Sequence, residues 1–391
     1  MKKMMDKVQG QTRTNLITYG MVIAIFVVIQ IMLQGGHVPR LIQGMLVPLA
    51  AYVILAISLN FTVGILGELS IGHAGFYCVG AFASVFFSVA VMDGGMPSGL
   101  RFFLALIIGA VAGGLIGLLI GFPVLRLRGD YVALVTLAFG EIIRNVMTAM
   151  HVGRDRRGFQ FSLRDAREFN LEETGEMLIN GPLGIINVPR DSTFTIGFIL
   201  VLITIFIVTN MMNSRDGRAI MSIRDNRIAA ESIGINVTKY KLLAFSVSAG
   251  LAGLAGALFA HNLSTLTASP RNFGFIMSVM ILVMVVLGGI GNIRGSIIAA
   301  IAITLLPELL RGLADLRMLI YAVVLIVMML LNWAPKVLEW RERYGLKTLI
   351  MNRRQSINKK NINEKNISKK EVDEKEVDEK EIDKIKPRED E

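Results

Sequence analysis

Apolar stretches of roughly crossing length recur along most of this chain, at 16–33, 45–65, 74–92, 101–122, 131–149, 194–212, 242–260, 274–290, 295–310 and 318–333. About twenty apolar residues in a helix span a bilayer. The pattern therefore predicts an all-α fold, a polytopic integral membrane bundle of about ten transmembrane helices, with eight to ten compatible with it. Two short glycine-rich stretches interrupt the apolar runs, at 67–75 and 291–296, and each is expected to be a re-entrant or broken helix. Small residues recur at helical spacing in two spans, as Gly109, Gly113, Gly117 and Gly121, and as Ala249, Gly253 and Ala257. Each set traces a helix face that another backbone can approach closely.

The polar stretch 214–241 separates two of these spans. It carries six Lys/Arg, namely Arg215, Arg218, Arg224, Arg227, Lys239 and Lys241. Basic loops stay on the cytoplasmic side, so this loop is expected there. Asp225 is placed to cap a short helix that ends at Gly234, a residue suited to the left-handed position after a helix. Two turns of helix do not persist alone in water. The apolar residues Ile228, Ala229 and Ile233 therefore require a partner. Counting crossings from the basic start puts both termini in the cytoplasm and the loop 151–193 outside. The apolar run 16–33 lacks a small-residue cleavage site and is expected to be a retained span. Residues 1–340 thus form the membrane domain. Residues 341–391 form a charged tail with Glu-Val-Asp-Glu-Lys repeats, expected to be disordered and cytoplasmic.

The 391 residues are 53% hydrophobic and 18% charged, with a mean hydropathy of +0.56, which suits a membrane protein and not a soluble enzyme. From Arg353 onward 12 Lys/Arg balance 12 Asp/Glu, so the net charge of +10 belongs to the membrane part. There it faces anionic lipid headgroups. The basic residues punctuate apolar spans instead of forming a stripe, which excludes nucleic acid as a partner. Cys78 is the single cysteine and rules out an internal disulfide. The four histidines have no metal-ligand spacing, and no Gly-x-x-x-x-Gly-Lys-Ser/Thr phosphate loop occurs. No catalytic site, metal or cofactor is expected.

Polar residues inside spans are costly and mark function. Asn60, Thr62, Ser70 and His73 cluster in a stretch broken by Gly64, Gly67, Gly72 and Gly75, which fits the lining of a substrate path. Thr136 and Glu141 are assigned to the same path. Glu141 also stands three residues from Arg144 and can pair with it on one helix face. An ion-coupled carrier needs an unpaired carboxylate near the membrane middle. Glu68 is the remaining candidate, and its glycine-rich surroundings argue against it.

Four blocks carry a resemblance: VGILGELSIGHAGFYCVGAF at 63–82, RGDYVALVTLAFGEIIRNV at 128–146, NGPLGI at 180–185, and the run 217–258 followed by 285–311. Their order and spacing resemble the permease subunits of bacterial branched-chain amino acid ABC importers, specifically the larger of the two paired permeases. The likeness covers about Leu41 to Trp333. It implies a bacterial cytoplasmic-membrane importer with a second related permease, two cytoplasmic ATPase subunits and a soluble or lipid-anchored substrate-binding protein. It also implies that Arg224, Asp225, Ala229, Ala230, Glu231 and Gly234 form the element that docks into an ATPase groove. The loop 151–193 is longer and more charged than the family pattern requires. The rival expectations are a related permease for urea, amides, sugars or nucleosides, an ion-coupled secondary carrier, and a membrane scaffold without transport.

Overall fold

The structure is a computed structural model that describes residues 2–35, 39–127, 129–155, 158–163 and 175–310, with a few positions between 319 and 330. The elements below lie in the unit Met1–Tyr321. The expected tail, 341–391, falls outside the described residues.

The long helices are α1 (Lys2–Gln34), α2 (Arg40–Asn60), α3 (His73–Ala90), α4 (Ser98–Val124), α5 (Asp130–Ala149) and α6 (Phe194–Asn213). Two short ones, α7 (Arg215–Asp225) and α8 (Arg227–Ser232), precede α9 (Val237–Ala260). A four-residue turn, α10 (Pro270–Phe273), leads into α11 (Phe275–Gly288) and α12 (Ile293–Leu309). Among the described residues seven helices are long and apolar enough to cross a membrane: Ile42–Leu66, His73–Ala90, Ser98–Val124, Asp130–Ala149, Phe194–Asn213, Val237–Ala260 and Pro270–Gly288. The apolar part of α1, Thr18–Gln34, is shorter, and α12 has 17 residues. The last expected span, 318–333, lies largely outside the described residues. A polytopic helical bundle is the architecture.

N-cap side chains close the first turns of five helices. Thr193, Ser214, Asn226, Asn236 and Asn292 accept backbone N–H bonds from the first turns of α6, α7, α8, α9 and α12. Each satisfies a donor that the helix itself leaves free.

Helix α9 is central, with α2, α3 and α4 packed around it. Its sequence explains the position. Ala244, Ala249, Ala252, Gly253, Ala255, Gly256, Ala257 and Ala260 put buried small residues on every side, so neighbouring backbones come close. The two predicted small-residue faces meet each other here. A Cβ on Gly113 would lie 2.6 Å from Ala249 O, and one on Gly109 would lie 2.9 Å from the Ala257 Cβ. Close backbone approach of this kind gathers dispersion energy where no hydrophobic effect drives helices together. Helix α1 lies along α6, where Phe26 stacks on Phe198 with centroids 3.8 Å apart.

The all-helical expectation omits a small β component. Strands β1 (His151–Asp155), β2 (Gly158–Ser162) and β3 (Glu176–Asn180) form an antiparallel sheet in the order β2-β1-β3. Strand β4 (Ile185–Ile186) pairs with β5 (Thr265–Leu266), tying the segment before α6 to the segment after α9. The sequence around β1 alternates glycine and charge with little β-branched content, so it carries no strand signal. At this end of the bundle Arg101 pairs with Asp191 at 2.8 Å. His261 lies beside them, just beyond α9, bonded through Nε2 to Ser88 Oγ at 2.8 Å. Burial holds the His261 imidazole below its ordinary pKa.

Candidate functional site

The predicted break is real and has two parts. Helix α2 runs into a π-helical turn, Phe61–Leu66, that ends at Gly67 with φ of +80°. A left-handed residue stops the helix, and glycine adopts that conformation without a Cβ penalty. Residues 67–72 are then non-helical, and α3 starts at His73. Single π turns inside helices commonly mark functional positions.

This stretch does not begin α3 at the end of the bundle. The Ile71 N–H donates to Thr136 Oγ1 at 3.1 Å, and Gly72 packs on the Thr136 backbone while Gly75 packs on Gly140. Thr136 lies about 9 Å along α5 from its start, at 1.5 Å per residue. Helix α11 starts at a similar place, since the Phe275 N–H donates to Glu141 Oε1 at 2.6 Å. Glu141 is about 16 Å along α5 from its start, at 1.5 Å per residue. Two helix N-termini therefore lie part-way along α5. The Ala74 N–H joins them, donating to Ser278 Oγ at 3.2 Å.

All six predicted path residues fall around this break. Asn60 Oδ1 accepts the Gly291 N–H at 2.8 Å, and its Nδ2 donates to Ser296 Oγ at 2.8 Å. The second predicted break, at the α11–α12 turn, is thus pinned to the first. His73 Nε2 is 2.7 Å from Ser58 Oγ. Thr136 Oγ1 donates to Ala133 O as it accepts from Ile71. Glu141 accepts from Arg144 Nε at 2.8 Å as well as from Phe275. Thr62 Oγ1 and Ser70 Oγ are buried without a hydrogen-bond partner. Buried polar atoms are nearly always paired, so these two hydroxyls are the unspent capacity of the site.

Two cavities adjoin this stretch in the chain, one at Leu66–Glu68 and one from Val79 onward. One of about 500 Å³ is wholly apolar and is lined by Val79, Phe82, Phe86, Met147 and Phe159 among others. The other, about 440 Å³, has a mixed charged and apolar lining and opens where Leu66, Glu68, Gly129, Arg224, Ile228 and Lys241 converge. The segment 70–77 lies between them in the chain and is buried at Ser70 and from Gly72 onward.

Sequence reasoning missed the partners of these residues. Ser58, Ser278 and Ser296 are buried hydroxyls that complete the bonds above, and Ser248 Oγ donates to Ser58 O at 2.5 Å. Of these, Ser278 is a lone serine in an apolar run, which is a legible signal of a polar contact inside a span. In the sequence Lys241 is one of the six positive charges of the loop. It is buried and forms an ion pair with Glu68, which removes Glu68 from the unpaired carboxylates.

The six loop residues assigned to docking divide by orientation. Helix α8 is a separate six-residue helix, and its cap is Asn226, whose Oδ1 accepts the Ala229 N–H at 3.0 Å. The expectation of an Asp225 cap is corrected: Asp225 is the last residue of α7 and bonds Arg224. Gly234 has φ of +85°. The Gly234 N–H donates to Glu231 O and the Ile235 N–H to Ala230 O, the paired bonds of a Schellman C-terminus. Asp225, Ala229, Glu231 and Gly234 are exposed. Ala230 is 2% exposed and packs with Ile223 and Val237, with Ile235 and Tyr240 against them. It is a foot of the helix, not part of its outer surface. Arg224 turns back, donating through Nη1 to Gly64 O at 2.9 Å. Ile228 is 79% exposed and Ile233 is 75% exposed.

A membrane-spanning bundle with discontinuous helices at its centre and a short amphipathic helix displayed on a loop defines a multi-pass transport subunit. The chain belongs to the family described as branched-chain amino acid transport system / permease component, which it matches over residues 41–331. It is 35% identical over 311 residues to the high-affinity branched-chain amino acid transport system permease protein LivM of Escherichia coli, covering 76% of this chain and 69% of that one. It is 26% identical over 210 residues to the nucleoside ABC transporter permease protein NupC of Lactococcus lactis, covering 51% and 60%. It is 23% identical over 261 residues to the Escherichia coli permease LivH, covering 64% and 79%. No solved structure matches the chain.

Proposed function

We propose that this chain is the larger of two permeases in an ABC importer for branched-chain or related hydrophobic amino acids. The observation that carries the reading is helix α8. It is held from below by Ala230 and presents Ile228 and Ile233 outward, beyond the spans. Exposed isoleucines on a six-residue helix fit a groove on another protein. Two cytoplasmic ATPase subunits are the partners that supply such grooves, since the chain has no phosphate-cradling loop of its own. A second permease related to this one and a substrate-binding protein outside the membrane complete the assembly. The loop 214–241 and both termini then face the cytoplasm of a bacterial cell, and the segment 151–193 faces outward. The substrate passes beside the break at Asn60–His73 and Thr136–Glu141. Inward-starting helix ends suit a carboxylate, and the apolar cavity suits a branched side chain.

A related permease for nucleosides is the second reading, favoured by the likeness to NupC. Vesicles containing the complete complex decide between them. Leucine uptake that requires both the binding protein and internal ATP is the expected result. Uptake of uridine without leucine assigns the nucleoside reading. Uptake driven by an ion gradient without ATP removes both.

A further inference from the structure

Arg224 and Lys241 bracket α8 in the chain, and both reach the same bend. Arg224 lies in the last turn of α7, and its Nη1 donates to Gly64 O at 2.9 Å within the π-helical turn. Its stem lies so close to Gly67 that a Cβ there would stand 2.5 Å from Arg224 Cγ. Lys241 lies in the second turn of α9, 6% exposed, and is bonded to Glu68. Gly64, Gly67 and Glu68 lead directly into Ser70, Gly72 and His73, the closed part of the site.

We propose that Arg224 and Lys241 are positioning residues of the transport cycle. They fasten both ends of the α8 segment to the 64–68 bend, so that a displacement of α8 is delivered to Ser70–His73. This rests on the reading of α8 as a docking helix. An ion pair this deeply buried is a poor source of stability, because desolvation offsets its attraction and an apolar pair of similar size holds a fold at least as well. Its geometric property is different. It joins one backbone to another at a fixed length in a region of glycine and non-helical chain, where side-chain packing alone transmits little. The other end of the bend is held too, because Gly64 presses on Gly291 and Asn60 bonds Gly291 N at 2.8 Å. Movement of Arg224 is therefore shared with the α11–α12 turn.

The test measures leucine uptake and ATP hydrolysis in parallel, in vesicles carrying both permeases, the ATPase subunits and the binding protein. Lys241→Met, Glu68→Gln and Arg224→Gln are each expected to lower uptake per ATP hydrolysed about tenfold, the scale of an ordinary coupling between sites, while the complex still assembles and hydrolyses ATP. The exchange Glu68→Lys with Lys241→Glu restores the ratio. Assembled single variants with an unchanged ratio overturn the proposal. Where a single variant does not assemble, the exchange decides: a wild-type ratio supports the clamp, and a lost ratio in an assembled complex overturns it. Wild-type uptake that needs no nucleotide overturns the docking reading itself, whereas nucleotide-dependent uptake with unaltered variants overturns only the clamp.

Discussion

Glu141 on α5 accepts the backbone N–H of Phe275, 2.6 Å away, and so caps the first turn of α11 from another helix. No intrahelical partner exists for that donor. A carboxylate at a helix N-terminus also meets the positive end of the helix dipole. Arg144 holds the other carboxylate oxygen at 2.8 Å, which fixes the cap in place. The charge pair that the spacing predicts on α5 thus does a second task that spacing cannot reveal.

Glu141→Gln keeps the size and removes the charge. It is expected to cost about 1–2 kcal/mol through the weakened cap and the unpaired Arg144. Thermal unfolding of the detergent-solubilised protein measures it, and uptake falls with it because α11 borders the path.

Thr62→Val and Ser70→Ala separate function from stability. Both hydroxyls are buried without partners, and removing an unsatisfied polar atom is neutral or stabilising. The melting temperature is expected to hold or rise while the Michaelis constant for uptake increases. A melting temperature that drops shows that the hydroxyls are structural.

Ile228→Asp and Ala230→Arg act on opposite faces of α8. The first leaves the permease fold intact and prevents co-purification of the ATPase subunits. The second forces a long cation against Ile223 and Val237 and disorders the loop, at a cost of roughly 1–3 kcal/mol from overpacking. Limited proteolysis between residues 214 and 241 distinguishes them.

Gly253→Leu drives a side chain into α4, where Gly109 and Gly113 leave no room. The expected loss is about 1–3 kcal/mol or more. Gly99, with open space around its Cβ position, is the control, and Gly99→Ala stays within about 0.5 kcal/mol.

His261 gives the fold a pH dependence. Its folded pKa lies below the ordinary 6.5 because burial disfavours the imidazolium. Below about pH 6.5 the unfolded chain binds a proton that the folded chain refuses. Its contribution is therefore complete above that pH and declines as the pH falls toward the folded value. His261→Gln flattens the melting temperature between pH 7 and 5.

Much of this organisation is local and therefore legible. A run of apolar residues reports a crossing wherever it occurs, and most of the expected spans are helices. Glycines at four-residue spacing on α4 announce a close contact. Gly64, Gly67, Gly72 and Gly75 announce a break, and Gly234 announces the end of α8. Each signal concerns residues within a few turns of one another, where backbone sterics and helical period suffice.

The sequence by itself determined the spans, the break and the displayed helix. The tertiary structure alone decided that Lys241 meets Glu68 across 173 positions, that Asn60 meets Ser296 across 236, and that Ala230 faces inward. It also decided the sheet at 151–180, whose first strand lacks a strand-like composition. A polar residue in an apolar span must be satisfied, and the sequence states that requirement. Which group satisfies it depends on how helices cross, a choice made by all the packing contacts together.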